Sequence, residues 1–220
     1  MSTPRDHILD RLRRGARTDV THPNPVTKRE AEWSARQPPI GDFAERFTRE
    51  QQAVGSQVRH FPTWEALAQQ APAWLRGLDV HSVITGRVPR LDPLRQSLGA
   101  AGFALRTYDR PAEQQQTELF NTDCGITTSV GGIAETGSII LIPSPAEPRL
   151  LSLAVPVHLA IVARGALWGT LLDFIRGGVY QQTVPTNLVL VSCASRTADI
   201  ELTLAMGVHG PKVLLVALVG

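Results

Sequence analysis

The chain has 220 residues, 43% of them hydrophobic and 19% charged, with a formal net charge of +2. That size fits one large domain, or one domain with an arm. So small a charge, with Lys and Arg spread along the chain, argues against nucleic acid as the main partner, where a basic stripe is expected. There is no apolar run of roughly eighteen residues, the length a transmembrane helix needs.

The opening MSTPRDHILDRLRRG carries charges where a secretion signal needs an apolar centre, so a cytoplasmic location is expected. Pro4, after Ser2 and Thr3, suits a helix start. Ile8, Leu9 and Leu12 then share a face, and Gly15 ends the helix. The following stretch has prolines at 23, 25, 38 and 39 and little apolar periodicity, and reads as an extended arm or a linker. The expected division is therefore residues 1–40 as N-terminal helix and proline-rich arm, and 41–220 as the main domain.

From Gly41 a helical pattern runs through Phe43, Phe47 and Val54. QVRHF reads as a strand, TWEALAQQAPAWLRG as a helix opened by Thr63, and HSVITG as a strand. RLDPLRQSLGAAG reads as a helix and FALRTYD as a strand. This alternation predicts an α/β domain with a mainly parallel sheet. The rhythm breaks at GITTSV and IAETGSIILI, which flank Gly131-Gly132; the pair predicts a tight hairpin and an antiparallel insertion. It resumes with VHLAIVAR as a strand, LWGTLLDFIRGG as a helix, NLVLVSC as a strand, TADIELTLAMGV as a helix and KVLLVALVG as the last strand. Strands this apolar are usually covered on both faces.

Two segments carry candidate chemistry. The first is SRTADIELTLAMGVHGP, Ser195–Pro211. If NLVLVSC is a strand of the parallel sheet, this segment lies at the carboxyl edge, where open sheets bind ligands. Two readings stand. Ser195, Arg196 and Thr197 at a helix N-terminus offer hydroxyls, free N–H groups and a guanidinium fork to an anion. Alternatively Thr197 is an N-cap, Asp199 and Glu201 serve the helix dipole, and Arg196 pairs with one of them. At the other end Gly210 suits a helix C-cap before Pro211; His209 is then either a cap neighbour or an acid–base group.

The second segment is GGIAETGS. Strand alternation puts Glu135 on the face of Ile133, Ile139 and Leu141, where an unpaired carboxylate is costly and its pKa rises toward useful values. A bulge at Gly137 would instead turn Glu135 to solvent. Thr136 and Ser138 are ladder residues or ligand donors, and Asp123 is a turn residue. Neither a phosphate-binding loop, a dinucleotide fingerprint nor a nucleophile elbow is present. Cys124 and Cys193 are the only cysteines and are expected as reduced thiols, with Cys193 a buried small residue. Two cysteines are too few for an iron–sulfur cluster within the chain, and no histidine stands at zinc-type spacing, so no metal site is expected.

GITTSVGGIAETGSIIL, RLLSLAVPVHLAIV, SRTADIE and GVHGP, in that order, resemble the successive motifs of the LUD-domain family, in particular its lactate utilization protein C (YkgG-type) group. The resemblance covers roughly residues 41–220. It implies a Rossmann-like sheet with an antiparallel part, similar to the fold of ribose-5-phosphate isomerases and CoA-transferases. It also implies a part in oxidising L-lactate to pyruvate, with iron–sulfur clusters carried by partner proteins and no cofactor in this chain. Cys193-Ala194 stands where the family usually has Gly-Pro, and its Cβ atoms limit close approach of a ligand to the backbone. Ser138 stands where threonine is common.

The expected site is thus Glu135 and His209 for acid–base work, with Thr136, Ser138, Ser195, Arg196, Thr197 and Asp199 for a small carboxylate or other anion. The alternatives are a stand-alone transferase- or isomerase-type enzyme with Glu135 as nucleophile or base, and a non-catalytic assembly module that binds an anionic small molecule.

Overall fold

The structure is a computed structural model that describes residues 4–15, 41–177, 185–198, 204–207 and 210–220. The chain falls into two units, Met1–Pro39 and Ile40–Gly220. In the first, helix α1 (Pro4–Gly15) places Asp6 in its first turn and Arg13 and Arg14 in its last, as the helix dipole favours. The arm expected at 16–40 lies outside the described residues.

The second unit is built on a six-stranded sheet in which every pairing is parallel. Its strands are β1 (Gln57–Phe61), β2 (Ser82–Thr85), β3 (Ala104–Thr107), β4 (Cys124–Thr128), β7 (Val157–Ala163) and β12 (Val213–Val219), in the order β1-β12-β7-β4-β2-β3. Both faces are covered, so β7 and β12 are almost continuously apolar and buried. On one face Leu67, Ala71, Trp74 and Leu75 of α3 (Trp64–Arg76) and Leu94 and Leu98 of α4 (Asp92–Ala100) pack on Val83, Ile126, Leu159, Ile161, Leu215 and Ala217. Thr63 caps α3, accepting from Ala66 N, as its sequence position predicts.

The other face meets α2 (Phe43–Ala53) and a second, mixed sheet of order β8-β5-β6-β9. Its strands are β5 (Gly131–Ile133), β6 (Ser138–Leu141), β8 (Leu167–Trp168) and β9 (Val189–Val191). Phe47, Ile139 and Leu141 pack there on Ala160, Val162, Leu214, Val216 and Leu218. Phe174 of α7 (Leu171–Arg176) closes the far side of the mixed sheet over Ile133 and Ile140.

The α/β architecture with an antiparallel part is as the sequence predicts, but several elements differ. GITT belongs to β4 of the parallel sheet, paired with β2 and β7. Gly131 and Gly132 lie within β5, and the hairpin turns at residues 134–137. The reason is room: a Cβ on Gly132 would lie 2.8 Å from the Phe47 ring. NLVLVSC supplies β9, but this strand pairs antiparallel with β6 in the mixed sheet. The expected helix TADIELTLAMGV is replaced at both described ends by strands β10 (Arg196–Ala198) and β11 (Leu204–Met206), which pair antiparallel. Two helices were not foreseen: α5 (Ala112–Phe120), from a glutamine-rich stretch of weak periodicity, and the single turn α6 (Leu150–Leu153). Cys124 is buried, whereas Cys193 is only half-buried; both are free. No described helix is long and apolar enough to cross a membrane.

Candidate functional site

Of the residues singled out by the sequence, the turn of Glu135, Thr136 and Ser138 packs on α2, and Arg196 reaches the carboxyl end of that helix. Gln51 is fully buried there and donates from Nε2 to the Gly137 carbonyl. Arg46, paired with Glu50 at 3.0 Å, donates to the Glu135 carbonyl at 3.4 Å. Both hold the 134–137 turn against the helix. Glu135 thus sits half-buried in a turn, its N–H donating to Gly169 O (3.0 Å), rather than on a strand face with Ile133 and Ile139. The Thr136 and Ser138 hydroxyls are 2.7 Å apart, and Ser138 is 2.7 Å from Ser192. This row of three hydroxyls runs from exposed Thr136 through buried Ser138 to exposed Ser192. No local pattern marks Ser192, whose place depends on β9 pairing with β6.

The backbone of Ser195 donates to Pro211 O (2.8 Å) and accepts from Gly207 N (2.9 Å), which joins the SRTA and GVHGP segments. Pro211 stands just before β12, so the segment lies at the amino edge of the parallel sheet and not at the expected carboxyl edge. Arg196 and Thr197 are in a strand, which removes the expected helix N-terminus. The Arg196 guanidinium instead donates to the carbonyl of Val54, the C-cap of α2. A cation is favoured at that end of a helix. Asp199 and His209 lie outside the described residues, as does the side chain of Thr197.

A second cluster, which sequence reasoning missed, lies at the carboxyl edge. After β2 the chain passes outward to β3 and returns to β4 on the opposite side of β2. Neighbouring strands whose connections diverge in this way leave a crevice at their carboxyl ends. Here residues 142–149 cross it. Arg87 N donates to Ala146 O at 2.7 Å, and a Cβ on Gly86 would lie 2.2 Å from that oxygen. Glu147 turns in toward the end of β4: Thr128 N donates to Oε1 (2.8 Å) and the Thr128 hydroxyl to Oε2. Burial raises the Glu147 pKa above the ordinary carboxylate value against the pull of those two bonds.

Thr127, Thr128, Leu141, Ile142, Pro143, Glu147, Pro148, Arg149 and Ser152 line a small cleft around that carboxylate. Behind it, the Thr127 hydroxyl is 2.9 Å from Nε2 of His158, a fully buried residue of β7. His158 Nδ1 has no partner among the described residues. Desolvation pushes the imidazole pKa down to about 4, so the ring is neutral. Asp123, read as a turn residue, accepts from His81 N, Ser82 N and the Ser82 hydroxyl. Burial raises its pKa, but these bonds outweigh burial and hold it low; its role is to tie β4 to β2.

A family model described as the LUD domain matches residues 44–219. An uncharacterized protein of Neisseria meningitidis is 37% identical over 124 residues, 56% of this chain and 53% of that protein. Lactate utilization protein C of Halalkalibacterium halodurans is 26% identical over 152 residues, 67% of this chain and 66% of its own length. The matches thus span about half to two thirds of these two relatives. Lactate utilization protein C of Bacillus pumilus is 23% identical over 93% of this chain and 90% of its own. Among solved structures, a DUF162 family protein from Deinococcus radiodurans shares the fold, with TM-score 0.59, 21% identity and coverage of 84% of this chain and 100% of that one. With the match extending from α2 to the last strand, the chain belongs to the LUD-domain family.

Proposed function

We propose that this chain is a subunit of an L-lactate utilization system, in which L-lactate is oxidised to pyruvate and iron–sulfur partner proteins take the electrons. The observation that carries the reading is the similarity to proteins named lactate utilization protein C, one of them aligned over 93% of this chain. Oxidation of L-lactate to pyruvate releases two electrons and two protons. Cluster ligation usually takes four cysteine thiolates, and this chain has two cysteines, of which Cys124 is buried with its thiol pKa pushed up to about 12. Clusters are therefore assigned to the partners. The hydroxyl row Thr136–Ser138–Ser192, with Ser195, Arg196, Thr197 and Asp199, is the proposed surface for an anionic group of a partner or ligand. Glu135 and His209 are its proposed acid–base groups.

A second reading, a chain that acts alone on a small ligand of its own, is favoured by the Glu147 cleft at the carboxyl edge. Deletion of the gene in a host without a redundant copy separates the two. Loss of growth on L-lactate, restored by the intact gene, is the expected result. Unchanged growth on L-lactate would sink the lactate reading. Turnover of a CoA thioester by the purified chain without partners would favour the second.

A further inference from the structure

We propose that the cleft at the carboxyl ends of β2 and β4 binds a small 2-hydroxycarboxylate, with the carboxylate on Arg149 and the hydroxyl donating to Glu147. The two side chains line the same cleft from positions two residues apart. Arg149 is exposed; its backbone carbonyl accepts from Ser152, but its guanidinium makes no hydrogen bond or ion pair among the described residues, so the planar fork is available for a carboxylate. Each Glu147 oxygen accepts one bond from Thr128, and each keeps a second lone pair.

The space between them limits the ligand. The cleft is about 20 Å³ in volume, room for a group the size of a water or a hydroxyl, so the hydroxyl enters it and the carboxylate meets exposed Arg149. Leu141, Ile142, Pro143 and Pro148 give the cleft an apolar wall suited to a methyl group and poorly suited to a second charge. A cation, a carboxylate acceptor and apolar side chains lining one small cleft match a short acid with an adjacent hydroxyl. The cleft is separate from the Arg196 surface at the opposite edge of the sheet. Thr127, bonded to buried His158, forms part of its lining and fixes the end of β4 beside Glu147.

The geometry alone points to an anion bearing a donor hydroxyl; L-lactate as the probe rests on the lactate reading above. The test is calorimetric or ligand-observed NMR titration of the full chain with sodium L-lactate and with sodium propionate, which lacks the hydroxyl. The expected result is tighter binding of L-lactate than of propionate. Arg149→Met, at an exposed position, is expected to weaken both at least tenfold. Glu147→Gln is expected to leave propionate binding within threefold and to remove most of the preference for L-lactate. Equal affinity of the unaltered chain for both acids, no binding of either, or no effect of Arg149→Met would each overturn the assignment. Lactate bound at this cleft by a chain whose loss leaves growth on lactate intact keeps the site and removes the lactate-oxidation reading. Normal loss of growth without binding here removes the site alone.

Discussion

His158 shows how much a single buried polar residue in a strand can cost. Its ring lies in the core with one bond to Thr127, and burial holds its pKa near 4 instead of the ordinary 6.5. An unfolded chain binds a proton at this position near pH 6.5, while the folded chain binds none until about pH 4. Neutral His158 therefore contributes its full stability above pH 6.5 and loses it as pH falls toward 4, by up to about 3 kcal/mol. Urea unfolding of wild type and His158→Leu at pH 7 and pH 4.5 checks this: the wild-type stability should fall more steeply, and parallel changes would show that the imidazole is not held neutral. VHLAIV carried the only sequence signal, a histidine inside a continuous apolar strand. Glu147 carried none, because PSPAEPRL has no periodicity, and its burial depends on β2 and β4 being neighbours.

At the level of elements, α2 and the 134–137 turn form one unit. Gly137 has φ 67°, and a Cβ there would lie 2.9 Å from Glu50 Cβ and 3.0 Å from Gln51 N. The left-handed backbone costs a non-glycine residue about 1–2 kcal/mol, and displacement of α2 adds to it. Gly137→Ala is expected to lower Tm by about 2–8 °C in a thermal melt; an unchanged Tm would show that the turn is not pinned by the helix. The same unit explains Arg196, whose guanidinium bonds the α2 C-cap at Val54. The apolar spacing of TADIELTLAMGV suits a helix. Its ends form strands because cross-strand pairing overrides a weak local preference.

The whole molecule presents two edges of one parallel sheet, with different chemistry at each. The Arg196 surface, proposed for a partner, lies at the amino edge and the Glu147 cleft at the carboxyl edge. Arg196→Ala removes one exposed helix-end contact, expected to cost about 0.3–1 kcal/mol. On the partner reading it should reduce co-purification of iron–sulfur proteins from cells grown on lactate, with Tm within a few degrees of wild type. Undiminished co-purification would remove Arg196 from the interface.

The sequence by itself determined the helices and parallel strands of residues 41–107 and the apolar strands β7 and β12, because apolar periodicity and capping residues such as Thr63 act over a few neighbours, and its ordered motifs marked the family. Only the tertiary structure decided which sheet each middle strand joins. GITT and NLVLVSC both suit a strand, and nothing local tells a strand which partner it meets. That choice placed β9 beside β6, brought Ser192 to Ser138, moved the SRTA segment to the amino edge, and left Glu147 facing the crevice between β2 and β4.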